Sequence, residues 1–216
     1  MPRDSQLQQA VLAELSWEPS IIASHIGVTA QSGIVTLSGH VANFAEKHVA
    51  EAAARRVKGV TGVAVELEVR LAFESRRGDD DIAAAAVERL RWDVQVPKDS
   101  IKVSVEHGWV TLSGEVDWYY QRDAAEQEIL RLAGVTGLSN QTSIKNKPDA
   151  AGISDSITHA LGRSWLFDGD AVSVRASGGT VTLSGTVPTP HDRNVAAATA
   201  WAAAGTTEVE NEIAIG

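Results

Sequence analysis

Val35-Thr36-Leu37-Ser38-Gly39 occurs three times in this chain, returning as Val110-Thr111-Leu112-Ser113-Gly114 and as Val181-Thr182-Leu183-Ser184-Gly185. Twenty positions after each glycine comes a second shared turn: Gly59-Val60-Thr61-Gly62, Gly134-Val135-Thr136-Gly137 and Gly205-Thr206-Thr207-Glu208. Working outward, adding 75 carries the first copy onto the second and adding 71 carries the second onto the third. The alignment needs no gap over residues 7–69, 82–144 and 153–215. Self-similarity at a fixed period means one small unit used repeatedly.

Within each copy the hydrophobic period changes in a fixed order. Leu7, Ala10, Val11 and Leu15 recur as Ile82, Ala85, Ala86 and Leu90, then as Ile153, Ser156, Ile157 and Leu161. That spacing marks one face of a short helix. Next, Ile26, Val28 and Ala30 alternate with other residues, as do Ile101, Val103 and Val105, and then Val172, Val174 and Ala176. Alternation of this kind is that of a half-buried strand. A turn at Gly33, Gly108 or Gly179 precedes the pentapeptide, whose Val and Leu face one way and whose Thr and Ser face the other, as in a hairpin. A second helix is expected over roughly 43–57, 118–132 and 189–203, with stripes Ala50, Ala54, Val57; Ala125, Ile129, Leu132; and Ala196, Ala200, Ala203. A last alternating stretch closes each copy at 63–69, 138–144 and 209–215.

The fold class is therefore α+β: three tandem αββαβ modules, each two helices packed on a small three-stranded mixed sheet. The expected modules are 5–70, 79–146 and 152–216, separated by polar linkers at 70–81 and 145–152. Each module leaves one sheet face to be covered, and a domain of about 60 residues gains from packing on a neighbour.

Bulk composition narrows the function classes. Hydrophobic residues make up 44% of the 216, in keeping with a folded chain, and cysteine is absent, so disulfides and thiolate metal sites are excluded. The net charge is −9, and residues 149–216 carry 3 basic against 8 acidic side chains. Nucleic acid is disfavoured, because sequence-independent binding needs the opposite sign. Residues 1–9 hold no apolar run of the signal-peptide kind, and no stretch approaches the ~18 apolar residues of a spanning helix. The expected location is the cytoplasm, or the periplasm if the N-terminus has been trimmed.

The pentapeptide strand, paired with a G-V-x-x-V-x-N turn and strand about two dozen residues on, resembles the BON module of bacterial osmotically induced and nodulation proteins. The structural motif is carried by Gly39, Gly114 and Gly185, by Gly59, Gly134 and Gly205, and by Asn140 and Asn211. Repeat 1 departs from it with Val65, and repeat 3 with Thr206. Each glycine is expected to close a backbone turn, and the asparagine to bridge turn backbone through its amide. The resemblance implies a non-enzymatic role in envelope or osmotic-stress physiology. It implies binding to a phospholipid surface or an envelope protein partner, or alternatively chaperone-like protection, or a soluble potassium or small-ligand sensor.

Catalytic chemistry finds no support in the residues. There is no phosphate-cradling glycine loop, no G-x-S-x-G elbow and no H-E-x-x-H. Ser38, Ser113 and Ser184 recur because the strand recurs. The six histidines (25, 40, 48, 107, 159 and 191) share no metal-ligand spacing. Asp79-Asp80-Asp81 reads as a charge run favoured at a helix N-terminus, and Asp168-Gly169-Asp170 as a turn. No metal or cofactor is expected.

Two sets of side chains are candidates for binding. Lys47, Arg122 and Arg193 hold one register position near the start of helix 2. They are available to lipid phosphate or to a partner's carboxylate, unless each pairs with an acid of its own helix. Trp118-Tyr119-Tyr120 opens the same helix in repeat 2, where the other copies read Asn43-Phe44-Ala45 and Thr189-Pro190-His191. Adjacent helical side chains point about 100° apart, so three aromatics cannot all enter their own core. An interface between modules or chains is the expected use, with a lipid-contact patch or a local surface feature as the alternatives. Trp17 and Trp92 are equivalent and end helix 1, which suggests a core or capping role; Trp165 is shifted by two positions.

Overall fold

In the computed structural model, which describes residues 2–145, 150–164 and 171–216, the repeated periodicity becomes a repeated order of elements. The first copy runs α1 (Pro2–Trp17), β1 (Ile26–Gln31), β2 (Ile34–Val41), α2 (Phe44–Arg56) and β3 (Gly62–Val69). The second runs α3 (Asp79–Trp92), β4 (Ile101–Glu106), β5 (Trp109–Val116), α4 (Tyr119–Leu130) and β6 (Gly137–Ile144). The third runs α5 (Ala150–Gly162), β7 (Val172–Ser177), β8 (Thr180–Val187), α6 (Pro190–Trp201) and β9 (Glu208–Ile215). Short 3-10 turns occur at Ala23–His25 and Phe73–Ser75. Trp165, Asp168-Gly169-Asp170 and 146–149 of the second linker lie outside the described residues.

The three sheets have the orders β1-β2-β3, β4-β5-β6 and β7-β8-β9, so the pentapeptide strand is always central. In the first sheet β2 pairs antiparallel with β1 and parallel with β3. The third sheet repeats this, with β8 between β7 and β9. The chain divides into two compact units. One comprises Met1–Ala86, Ser104–Val110 and Glu128–Ser139, the other Val87–Val103, Thr111–Gln127 and Asn140–Gly216. Among the described residues no helix is long and apolar enough to cross a membrane.

Each hairpin turns in two residues with positive φ: Ser32 (51°) and Gly33 (84°), His107 (52°) and Gly108 (78°), Gly178 (58°) and Gly179 (94°). This is the primed geometry that matches strand twist, and it explains the glycine expected there. The turn glycine's carbonyl then accepts a bond from the chain entering the third strand. Thr61 N donates to Gly33 O at 2.8 Å, Thr136 N to Gly108 O at 2.9 Å and Thr207 N to Gly179 O at 2.9 Å. Helix 1 braces two of the hairpins. Asp4 Oδ1 accepts from Ser32 N at 2.9 Å, and the equivalent Asp79 accepts from His107 N and Gly108 N, both at 2.8 Å. Asp79 is thus a hairpin clamp as well as part of the acidic start of α3.

The glycine ending the pentapeptide has a different reason from the expected one. Gly39, Gly114 and Gly185 lie inside the central strand, at φ 113°, 138° and 137°, rather than in a turn. A Cβ there would run into the carbonyl oxygen of His25, Ser100 or Ala171, so only glycine allows the neighbouring backbone so close. Gly59, Gly134 and Gly205, at φ 97°, 94° and 92°, do sit in turns, between helix 2 and the last strand.

The core lies between the sheet and its two helices. Val35 and Leu37, Val110 and Leu112, and Val181 and Leu183 are all fully buried. Helix 1 contributes Val11 and Leu15, then Ile82, Ala86 and Leu90, then Ile153, Ile157 and Leu161. The expected position three residues after the first drops out: Ala10 and Ser156 are exposed, so the stripe is i, i+4, i+8. Helix 2 buries mainly alanine, as at Ala50, Ala53, Ala54, Ala196 and Ala200, which lets its backbone approach the sheet closely. Of the core or capping role expected for Trp17 and Trp92, the core alternative is overturned. They are 86% and 78% exposed, because each is the last residue of its helix and lies beyond the buried stripe.

Candidate ligand groove

Helix 2 begins with a capping arrangement in every copy, and one copy breaks it. The residues three positions into the motif, Glu46, Gln121 and Asp192, reach back to backbone N–H groups. Glu46 accepts from Ala42 N at 3.1 Å, Gln121 from Asp117 N at 3.0 Å, and Asp192 from Thr189 N at 3.1 Å. The reciprocal half needs an acceptor side chain at the cap. Asn43 supplies it to Glu46 N at 2.9 Å, and Thr189 to Asp192 N at 3.2 Å. The same position in the second copy is Trp118, whose indole has no acceptor. A cap of this kind is worth about 1 kcal/mol, so the second copy gives up local stability for an aromatic ring.

That ring and its two neighbours wall a groove in the second unit. Tyr119, the first residue of α4, stacks on Trp201, the last residue of α6, with ring centroids 4.1 Å apart and planes inclined by 21°. Trp118 and Tyr120 diverge from it, as neighbours on a helix must, and Tyr120 remains 53% exposed. With Asp123, and with Ala198 and Ala202 of the α6 end as a floor without bulk, they enclose about 510 Å³. The volume falls in the range of small-ligand sites, about 300–1,000 Å³.

The groove carries one charged side chain. Among the described residues Asp123 makes no salt bridge, and both partial burial and the neighbouring Glu126 carboxylate hold its carboxyl above the usual carboxylate value. Burial, then the same Asp123 charge, also raises the Tyr119 phenol. Both shifts disfavour adding negative charge here.

The basic row is placed elsewhere. Lys47 Nζ donates to Leu67 O at 2.9 Å, Arg122 to Asn140 O at 3.3 Å, and Arg193 to Asn211 O at 2.8 Å. Each therefore ties helix 2 to the last strand of its sheet, and none of these bonds goes to an acid of its own helix. Asn140 and Asn211 answer from that strand, donating to the carbonyls of Arg122 (3.2 Å) and Arg193 (3.1 Å). The asparagine was expected to bridge turn backbone; it bridges strand to helix instead, because it stands within β6 and β9 where helix 2 crosses them.

Trp201 and Asp123 were not singled out from the sequence. Their register equivalents are Arg55 and Leu130 for the first, and His48 and Asn194 for the second, so the signal available was a difference between copies. Of the histidines, His25 and His40 stack at 4.5 Å with planes 19° apart. Among the described residues no three His, Cys, Asp or Glu side chains gather to hold a metal ion.

Comparison with known proteins agrees with the repeat. The BON domain model matches three times, over residues 3–70, 78–146 and 149–216. Osmotically-inducible protein Y of Escherichia coli (strain K12) is 34% identical over 146 residues, 66% of this chain and 73% of that protein. Among solved structures, CdsD, a structural protein of the type III secretion system of Chlamydia trachomatis, aligns over 98% of this chain and 92% of its own at 16% identity and a TM-score of 0.28. Likeness at that level contributes nothing to the reading of this chain. The three family matches span nearly all of the sequence, and the chain belongs to the BON domain family.

Proposed function

We propose that this chain is a non-enzymatic binding protein of the bacterial stress response, and that the Trp118–Trp201 groove is where it meets a phospholipid surface or an envelope protein partner. The observation that carries the reading is the Tyr119–Trp201 stack with Tyr120 left half exposed beside it. Trp and Tyr suit a boundary that is apolar on one side and wet on the other. The lost cap at Trp118 supports it, since a residue kept against local stability is expected at a working surface. Membership of the BON family and the similarity to an osmotically inducible protein support the stress-response setting.

The net charge of −9 argues against a contact driven by anionic lipid. Contact through aromatic rings predicts weak dependence on salt. The test is co-sedimentation with phosphatidylcholine vesicles, alone and mixed with phosphatidylglycerol, at low and physiological salt. Sedimentation with both, reduced by Trp118→Ala and Tyr120→Ala, supports the phospholipid form. Sedimentation that the two substitutions leave unchanged removes the groove from the reading.

A further inference from the structure

We infer that the groove bounded by Trp118, Tyr119, Tyr120, Trp201 and Asp123 binds a small organic ammonium ion from solution, of the tetramethylammonium or choline type. The inference rests on the groove being the binding site proposed above, and goes beyond it by naming the ligand class.

Three properties of the groove converge on a cation with an apolar skin. The first is the walls. Each aromatic ring presents a negative face that attracts a cation within about 6 Å of its centroid, and Trp is the strongest of these. Tyr119 and Trp201 stack on each other at 4.1 Å, and both line the groove together with Trp118 and Tyr120. The second is charge. Asp123 is the charged side chain of the lining, it makes no salt bridge among the described residues, and the Glu126 carboxylate acts on it with the same sign. Arg122, one residue before Asp123, is not part of the groove lining; it donates to the Asn140 carbonyl at 3.3 Å, and Glu126 accepts from Asn140 Nδ2 at 3.1 Å. An anion would meet the Asp123 carboxylate in the lining itself. The third is the floor: Ala198 and Ala202 offer methyl groups and no donor or acceptor side chain. A strongly hydrated ion such as potassium would give up water for rings and methyls and regain one carboxylate. An alkylammonium ion sheds water cheaply and fits both surfaces.

Four of the five residues belong to the second copy and Trp201 to the third. The equivalent positions are Asn43, Phe44, Ala45, His48 and Arg55 in the first copy, and Thr189, Pro190, His191 and Asn194 in the third. Only the second copy joins a carboxylate to three successive aromatics, and only α6 ends in a tryptophan that reaches them.

The test is a titration of the full chain with tetramethylammonium chloride at constant ionic strength, followed by tryptophan fluorescence and calorimetry. Potassium chloride and the neutral isostere 3,3-dimethyl-1-butanol serve as comparators. The expected result is saturation at roughly millimolar concentration by the cation, at least about tenfold weaker binding of the neutral isostere, and none of potassium. Asp123→Asn, which removes the charge and keeps the side chain's size, is expected to weaken the cation about tenfold while circular dichroism is unchanged. Trp201→Leu should abolish saturation; if it unfolds the chain, Tyr120→Leu at a half-exposed position replaces it. Equal binding of the cation and the neutral isostere overturns the inference but keeps the groove as a binding site. Binding of neither overturns the inference and leaves the vesicle experiment to decide the groove. Choline and phosphatidylcholine vesicles carry the same group, so a response to the vesicles without one to free choline also overturns it.

Discussion

Asn140 and Arg122 hold each other across strand and helix: the asparagine amide donates to the Arg122 carbonyl at 3.2 Å, and the guanidinium donates to the Asn140 carbonyl at 3.3 Å. Asn211 and Arg193 repeat the bracket at 3.1 and 2.8 Å. Asn140 Oδ1 further accepts from Thr142 N at 3.2 Å, and Asn211 Oδ1 from Ile213 N at 3.2 Å. One amide therefore fixes both the strand's own backbone and the position of helix 2 upon it. In the first copy Val65 stands at the asparagine position, and Lys47 reaches the Leu67 carbonyl alone.

Removing the amide leaves part-buried backbone groups unpaired, which costs about 1–3 kcal/mol. Asn140→Ala is expected to lose more than Asn211→Ala, because Asn140 also bonds Glu126 whereas the residue equivalent to Glu126 in the third copy is Ala197. Urea unfolding midpoints of the two variants measure this. Equal losses would mean that the Glu126 bond contributes nothing.

Gly114→Ala tests the close approach inside the central strand. Alanine at φ 138° would be strained, and its methyl would collide with the Ser100 carbonyl. Either the strand or the preceding loop must move, at a cost of about 3 kcal/mol. By contrast Gly178→Ala, at φ 58° with no atom within 4 Å of the added Cβ, should cost only about 1 kcal/mol. Thermal unfolding of the two variants separates crowding from φ alone.

The elements and their order were legible because helix and strand periods differ, and because three copies allowed each position to be read three times. The clamp formed by Asp4 and Asp79 was hidden, since a carboxylate at a helix start has a sufficient local explanation in the helix dipole. Trp17 and Trp92 were misleading: a large apolar residue at a recurring position suggests core, but the helix ends there and the ring is left exposed. For the groove, Trp118, Tyr119 and Tyr120 stood out by adjacency alone. Trp201 is 81 or more residues away from them in sequence, and only the packing of α6 brings it onto Tyr119.

Thr142 occupies a core position. It is 4% exposed where the other copies bury Leu67 and Ile213, and among the described residues its hydroxyl has no hydrogen-bond partner. A buried hydroxyl without a partner costs about 1–3 kcal/mol relative to an apolar group of the same shape. Thr142→Val keeps the shape and removes the hydroxyl, so it should raise the urea midpoint, by an amount equivalent to about 1 kcal/mol. The bond from Thr142 N to Asn140 Oδ1 is backbone and survives. A lowered midpoint would show that the hydroxyl is satisfied in solution.

Asp79 makes the second hairpin sensitive to acid. The N–H of Gly108, and then that of His107, hold its carboxyl below the usual carboxylate value. A depressed folded pKa stabilises the fold at pH values above the unfolded one, about 3.9, and that stabilisation fades as pH falls through the folded value. Asp79→Ala should therefore be less stable than the parent at neutral pH, by a difference that stays level down to about pH 4 and shrinks below it. Unfolding midpoints of both proteins between neutral and strongly acidic pH measure the difference. One that grows below about pH 4 would be of the wrong sign.

Trp118→Asn gives the second copy the cap that Asn43 supplies in the first. The new side chain can accept from Gln121 N, which in the parent donates to the Trp118 carbonyl at 3.2 Å, while Gln121 already accepts from Asp117 N and Trp118 N at 3.0 and 3.1 Å, completing the reciprocal box. Stability should rise by about 0.5–2 kcal/mol, read from the urea midpoint. The same substitution removes one aromatic wall of the groove, so binding of tetramethylammonium or vesicles should weaken. Gain of stability together with loss of binding identifies Trp118 as a residue kept for contact rather than for the fold. Loss of stability would instead mean that the indole's packing outweighs the cap, and that its presence needs no functional reason.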